Sequence, residues 1–338
     1  MEFFCTNLLL VSLEGAVLIS LMLLISRVCR FRYLPELQYW FWFLLALRLL
    51  LPVTVDTSFS THFWDLPEQI LYRQQAQSYV AQMDLPPTDI DTKVPDTITV
   101  TADNPFSAIA NMPHWYEVFL VVWLTGIVVV IVYQSWQYHR QRKALLRWSE
   151  LVTEETILQF YRQISTLHNK IRPPKLYWCS LIVSPMVLGW YRPVLLLPTD
   201  TYNEEDLRLL LSHELQHYYH GDIPYKFVLT VACALHWFNP LVYAMVRQAN
   251  RNLELCCDYT VLKTQPDTVR VRYSYLLLEV AAGSGKHNLL FTTGFSMAGK
   301  QLQQRIQGLF AYPNGKRGVV VFAVLLSLLL ASGFALVP

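Results

Sequence analysis

Four apolar stretches constrain this chain more than any other feature. A membrane-spanning helix takes about 20 predominantly apolar residues. The stretches run from Thr6 to Ile25, Glu36 to Val53, Tyr116 to Tyr133 and Gly318 to Val337. A fifth, Tyr225 to Val246, is apolar but broken by His236, Asn239 and Pro240. The composition agrees: 53% of residues are hydrophobic and 15% charged, against about 25% charged in a soluble domain. Disorder is excluded, because it requires low hydrophobicity and high net charge. A net charge of +2 gives no global sign of a nucleic-acid partner. Six cysteines in 338 residues are too few for a disulfide scaffold, and none is expected to be paired.

The basic residues orient the spans, since cytoplasmic flanks carry the excess of Lys and Arg. Arg27, Arg30 and Arg32 follow the first stretch, which therefore reads as a retained anchor instead of a signal peptide. Arg140, Arg142, Lys143 and Arg147 follow the third, and Lys316 and Arg317 precede the fourth. The 62-residue loop from Thr54 to Trp115 holds Asp56, Asp65, Glu68, Asp84, Asp89, Asp91, Asp96 and Asp103 against Arg73 and Lys93. The expected layout is two transmembrane helices in 1–53, an extracellular loop in 54–115 and a third transmembrane helix in 116–134. A cytoplasmic, membrane-associated domain follows in 135–316, and a last transmembrane helix with a short external C-terminus in 317–338. Both termini then lie outside the plasma membrane. The outer loop is either a ligand sensor or a solvated connector. Glu14 and Arg48 fall inside spans and are expected to pair with each other.

In the cytoplasmic block, residues 145–170 read as an amphipathic helix or helix pair, and Leu176 to Pro198 as short strands. A helix follows, capped by Thr201 or Asn203, with Glu204, Glu205 and Asp206 in its first turn and Gly221 at its end. It carries His213-Glu214-Leu215-Gln216-His217, a full HExxH. Four-residue spacing places both imidazoles on one helical face, able to grip one zinc ion, while Glu214 can reach a metal-bound water. A third protein ligand is needed. Glu254 and Asp258 share a helix face downstream, so that one carboxylate can ligate the metal while the other accepts a hydrogen bond from a ligand histidine. The apolar neighbours Leu253, Leu255, Cys256 and Cys257 make that helix buried, and both cysteines read as core packing. His220 is either a substrate or transition-state contact or a surface histidine, and His236 reads as structural. Glu254 must return to the HExxH helix, so segment 225–246 cannot simply cross the bilayer. It is re-entrant, lies at the inner surface or forms an apolar hairpin, with Asn239-Pro240 as its break.

Together these motifs resemble the membrane-embedded zinc metallopeptidases of the BlaR/MecR antirepressor family, which are gluzincins. The matching residues are Gly189-Trp190-Tyr191-Arg192-Pro193 with Leu195-Leu196-Leu197-Pro198, His213 to His217 with Asp222, Trp237-Phe238-Asn239-Pro240, Glu254-Leu255-Cys256-Cys257-Asp258, and Arg305-Ile306. The resemblance implies an α-helical multi-pass membrane protein with an inserted cytoplasmic α+β zincin domain. It implies Zn2+ held by His213, His217 and Glu254, Glu214 as general base, and Asp258 and Asp222 supporting the ligands. It also implies that the strand before Pro198 pairs with an extended substrate peptide. The implied substrate is a cytoplasmic repressor protein or the chain itself, cut within Phe291 to Arg305. Typical members carry an external penicillin-binding sensor after the last span, where this sequence ends, so the expectation is either a sensorless form or a truncated sequence. No direct nucleic-acid partner is implied, and a homodimer is left open. The competing class is a non-catalytic membrane receptor or scaffold with a degenerate metal site.

Overall fold

The structure, a computed structural model, describes residues 2–28, 34–50, 115–166, 172–199, 202–284 and 299–311, with isolated helical positions 323, 324 and 327. The expected outer loop up to residue 114, nearly all of the last span, and residues 291–298 of the expected cut segment lie outside the described residues, as do Arg30, Arg32, Lys316, Arg317 and the alternative cap Thr201.

Helix α1 (Glu2–Val28) and α2 (Pro35–Leu50) pack side by side, and Arg48 meets Glu14 at 3.3 Å as the expected pair. Helix α3 (Trp115–Arg147) is one continuous helix of 33 residues, about 50 Å long at 1.5 Å per residue. It does not stop near residue 134. Among the described residues, α1 and α3 are long and apolar enough to cross a membrane. Helix α3 buries Trp123 and exposes Val118, Val121, Val128, Val129 and Val132. An apolar face of that extent marks membrane association.

The tract 145–166 holds the expected amphipathic helix, preceded by an unexpected strand. It contains the end of α3, strand β1 (Ser149–Leu151) and helix α4 (Glu155–Thr166). Strand β1 exists because β2 (Lys175–Cys179) pairs with it antiparallel, a partner that local periodicity cannot reveal. Strands β3 (Met186–Leu188) and β4 (Val194–Pro198) complete a sheet of order β1-β2-β4-β3. Strand β4 pairs parallel with β2 and antiparallel with β3. Leu195, Leu196 and Leu197 are all fully buried, as an interior strand covered on both faces requires. Leu195 and Leu197 pack under α4 and the following helix, while Leu196 packs with Cys179 and Ile182. The expectation that the strand before Pro198 receives a peptide is therefore corrected: both edges of β4 are already hydrogen-bonded. Among the described residues the free edges belong to β1 and β3, and β3 packs against the HExxH helix.

That helix is α5 (Glu204–His220). The Asn203 carboxamide accepts the Asp206 N–H at 2.9 Å, and three acids occupy the first turn. Gly221 ends α5 with φ 79°, its N–H returned to the last turn. The same left-handed residue starts α6 (Asp222–Leu235), folding Asp222 back over the end of α5. After a turn at 236–239, α7 (Pro240–Leu262) opens with Asn239 as cap and Pro240 in its first turn, where no intrahelical N–H is missed. Segment 225–246 is thus a helix, a turn and a second helix. The turn is tied down: His236 Nε2 lies 3.1 Å from the Leu49 carbonyl, Asn239 donates to Ser12, and Trp237 donates to the Trp123 carbonyl. Gly126 lets α3 approach, since a Cβ there would sit 2.2 Å from the Trp237 ring. Helices α1, α2, α6 and α7 share one core around Trp42, Leu45, Leu229, Ala232 and Met245. Helices α8 (Asp267–Ser284) and α9 (Gly299–Ala311) close over the far side of α5 and α7 through Tyr273, Leu276, Leu277 and Leu309.

Candidate metal centre

The centre lies where α5, α6, α7, α8 and α9 meet. Helical spacing on α5 brings His213 Nε2 and His217 Nε2 to 3.0 Å. From α7, Glu254 places Oε2 3.6 Å from the first and Oε1 3.8 Å from the second. The other ring nitrogen of each histidine is already engaged. His217 Nδ1 lies 2.6 Å from Asp222 Oδ2. His213 Nδ1 lies 3.1 Å from the Tyr273 hydroxyl and 3.3 Å from Asp258 Oδ1. A ring nitrogen beside a carboxylate carries the hydrogen, so these partners assign the tautomers. Both Nε2 lone pairs and the Glu254 carboxylate then converge on one point. Three electron-pair donors aimed together repel unless a cation, either a proton or a metal ion, lies among them. A tetrahedral metal with ligand bonds of about 2.0–2.2 Å separates its donors by about 3.3–3.6 Å. The three observed separations bracket that range, so the donor set fits a metal ion.

Glu214 is 8% exposed, with a carboxylate oxygen in one cluster with both imidazoles, all within 4.8 Å. Burial raises its carboxyl above the usual range, and the imidazoles of His217 and His213 oppose the shift only in part. Burial also disfavours an ionised Glu254, but His217, His213 and Arg305 outweigh it and hold that carboxyl well below its ordinary value. For His217, burial opposes protonation. Glu254 and the hydrogen bond to Asp222 prevail and raise the ring to about 9. Asp222 is buried too, yet hydrogen bonds from His217 and His220 lower it to about 2.

The residues expected at the site lie together. His220 Nδ1 lies 3.1 Å from Asp222 Oδ1 and its ring packs on Tyr39 at 4.4 Å, so it is turned toward Asp222. The two tyrosines beside it are engaged elsewhere, Tyr218 with the Arg172 carbonyl and Tyr219 with that of Ser165. Cys256 lies in the α1–α2–α6–α7 core as expected. Cys257 does not: its Sγ is 3.1 Å from His217 Nδ1 and 3.4 Å from Asp222 Oδ2. Burial pushes its thiol well above the ordinary value, so it stays protonated and donates to Asp222.

Two further residues complete the site. Arg305, from α9, places Nε and Nη2 each 2.6 Å from the two Asp258 oxygens and Nη1 3.2 Å from Glu254 Oε2. Tyr273, from α8, donates to Asp258 Oδ1 at 2.8 Å. Nothing in the local sequence assigns a site role to Tyr273, and Arg305 is legible only as part of a motif near the last span. Their sole local signal is a polar group in a helix whose neighbours form a buried stripe, Leu276, Leu277 and Val280 for the first and Leu309 for the second.

Comparison with known proteins fits this assembly. Residues 6–309 match the family model described as BlaR1 peptidase M56. The chain is 26% identical over 230 residues to the regulatory protein BlaR1 of Bacillus licheniformis, covering 63% of this chain and 37% of that protein. It thus spans well under half the length of that curated relative. Because the match runs from α1 into α9 and takes in every residue of the metal centre, the chain belongs to the BlaR1 peptidase M56 family, a family of peptidases.

Proposed function

We propose that this chain is an integral-membrane zinc endopeptidase of the signal-transducing antirepressor type, which cuts a cytoplasmic repressor, itself, or both. The observation that carries the reading is the convergence of His213 Nε2, His217 Nε2 and the Glu254 carboxylate, with each imidazole fixed from behind by an acid. His213, His217 and Glu254 would hold the zinc. When bound, zinc lowers the pKa of a water toward about 7 and polarises the scissile carbonyl. Glu214 would accept a proton from the attacking water and return it to the leaving amine nitrogen. Its buried position raises its proton affinity, which suits both steps. Asp222 and Asp258 hold the imidazoles in the tautomer that presents Nε2. His220 and Cys257 brace Asp222, and Arg305 balances Asp258 and Glu254. An extended substrate strand would add to the free edge of β3, beside α5.

The same reading takes 1–53 as two spans, 54–115 as the outer loop, 116–134 as the third span and 317–338 as the last. The peptidase domain, 135–316, is cytoplasmic. Ser12, Leu49 and Trp123 fall in the outer halves of their spans in this topology. Their hydrogen bonds to the 236–239 turn support a re-entrant α6–α7 hairpin whose base carries the metal centre at the inner boundary.

The test is metal content and cleavage in one set of proteins. Purified wild type should hold close to one zinc per chain, H213A and H217A should lose it, and Glu214→Gln should retain it while cutting nothing. A Glu214→Gln protein that cleaves at the wild-type rate, or a wild type that holds no zinc, refutes the reading.

A further inference from the structure

Beside Glu254 a cavity of about 510 Å³ runs along α7 between α3, α6 and α9. Val246, Arg247, Asn250, Arg251 and Glu254 line it from one face of α7. They cover two helical turns, about 12 Å, which an extended peptide spans in about four residues. Lys226 enters from α6 and Arg305 from α9.

The charge balance of this wall is one-sided. Four cations, Lys226, Arg247, Arg251 and Arg305, face one carboxylate, that of Glu254. Arg305 is already spent on Asp258 and Glu254. Among the described residues no salt bridge holds Lys226, Arg247 or Arg251; the acid on which Lys226 acts is Glu214, whose carboxyl it helps to lower. The near neighbour of Arg251 is the neutral amide of Gln248 at 3.5 Å. Arg251 Nε and Asn250 Oδ1 are buried without a hydrogen-bond partner. Cations left unpaired in a partly enclosed cleft favour an anion that enters it.

We infer that this cavity is an acidic subsite, and that the protein cuts substrates carrying Asp or Glu within about four residues of the scissile bond. The inference rests on the peptidase reading above and adds the substrate class to it. It bears on the choice between a separate substrate and self-cleavage. From Val280 to Pro338 the chain contains no Asp or Glu at all, and this tract includes the expected cut segment Phe291 to Arg305. The cavity therefore disfavours a self-cut in that tract and favours cleavage of another protein.

The full chain in phosphatidylcholine nanodiscs is given a library of decapeptides in which one position at a time is Glu, Gln or Lys, with cleavage read by mass spectrometry. At one position near the cut, Glu should be preferred over Lys about tenfold or more, the scale of a hydrogen bond between charged groups. R251E, and independently the more exposed R247E, should shrink or invert that ratio. A ratio reports charge recognition, so a variant that merely folds poorly slows both peptides alike and leaves it unchanged. Cleavage without a Glu preference, or a preference that survives both variants, overturns the subsite and leaves the peptidase reading standing. A wild type that cuts no peptide overturns the peptidase reading, and this inference falls with it. If phosphatidylglycerol stimulates cleavage, and the variants abolish that stimulation while the Glu to Lys ratio holds, the cations seat a lipid headgroup and the subsite is refuted.

Discussion

Arg305→Leu should destabilise the chain by about 3 kcal/mol, the lower part of the range for breaking one half of a buried ion pair. The magnitude follows from what is left behind. The Arg305 and Asp258 side chains are 3% and 2% exposed, and two hydrogen bonds of 2.6 Å join them. Leucine removes both bonds and the 3.2 Å contact with Glu254 while Asp258 stays buried. Asp258 keeps one donor in the Tyr273 hydroxyl at 2.8 Å and a second in the His213 ring at 3.3 Å, which holds the cost below the upper limit of about 5 kcal/mol. Asp258→Asn alone takes the nearer of two partners from the buried Arg305, leaving Glu254 at 3.2 Å, and should cost somewhat less. The double variant leaves neither charge uncompensated, so it should cost less than the sum by at least about 1 kcal/mol. Reversible unfolding in mixed detergent micelles, with metal chelated throughout so that affinity does not enter, measures all four proteins. Strict additivity would show that the two groups do not compensate each other, and the account of Arg305 would be wrong.

Asp222→Asn should weaken zinc binding by about 10–100-fold through the His217 tautomer, measured by chelator competition; unchanged affinity would refute that role. Proton release on zinc binding should depend on pH. His217 is raised to about 9 in the metal-free fold, so its stabilising contribution is complete below the unfolded value near 6.5 and fades as pH climbs through 9. Zinc must displace that proton, so titration calorimetry in buffers of different ionisation enthalpy should show one more proton released per zinc at pH 7 than at pH 10. Gly221→Ala should cost about 1 kcal/mol, because φ is 79° and no atom lies within 4 Å of the added Cβ, so only backbone strain contributes. Gly221→Asn should cost less, and equal costs in a melting experiment would argue against strain as the cause. Gly126→Ala places a Cβ 2.2 Å from the Trp237 ring and should loosen α3 from the 236–239 turn, seen as faster hydrogen exchange at Trp123 and Trp237.

What the sequence determined by itself is whatever repeats within one helix or one span. The four-residue spacing of His213 and His217, a cap at Thr201 or Asn203, the Gly221 stop and the Asn239-Pro240 break are local, and each follows from helical period or backbone preference. Glu254 and Asp258 were legible because carboxylates in an apolar helix demand a partner. Tertiary structure alone decided which partner. Tyr273 and Arg305 reach Asp258 from helices that begin 9 and 41 residues after it, and no periodicity within either helix encodes that meeting. The position of β4 inside the sheet and the existence of β1 likewise depend on partners elsewhere in the chain, as hydrogen bonding between strands always does. Cys257 reads as core in the sequence because a buried thiol and a buried hydrogen-bond donor look the same there. Its distance to Asp222 separates them, and that distance is set by how α6 and α7 pack.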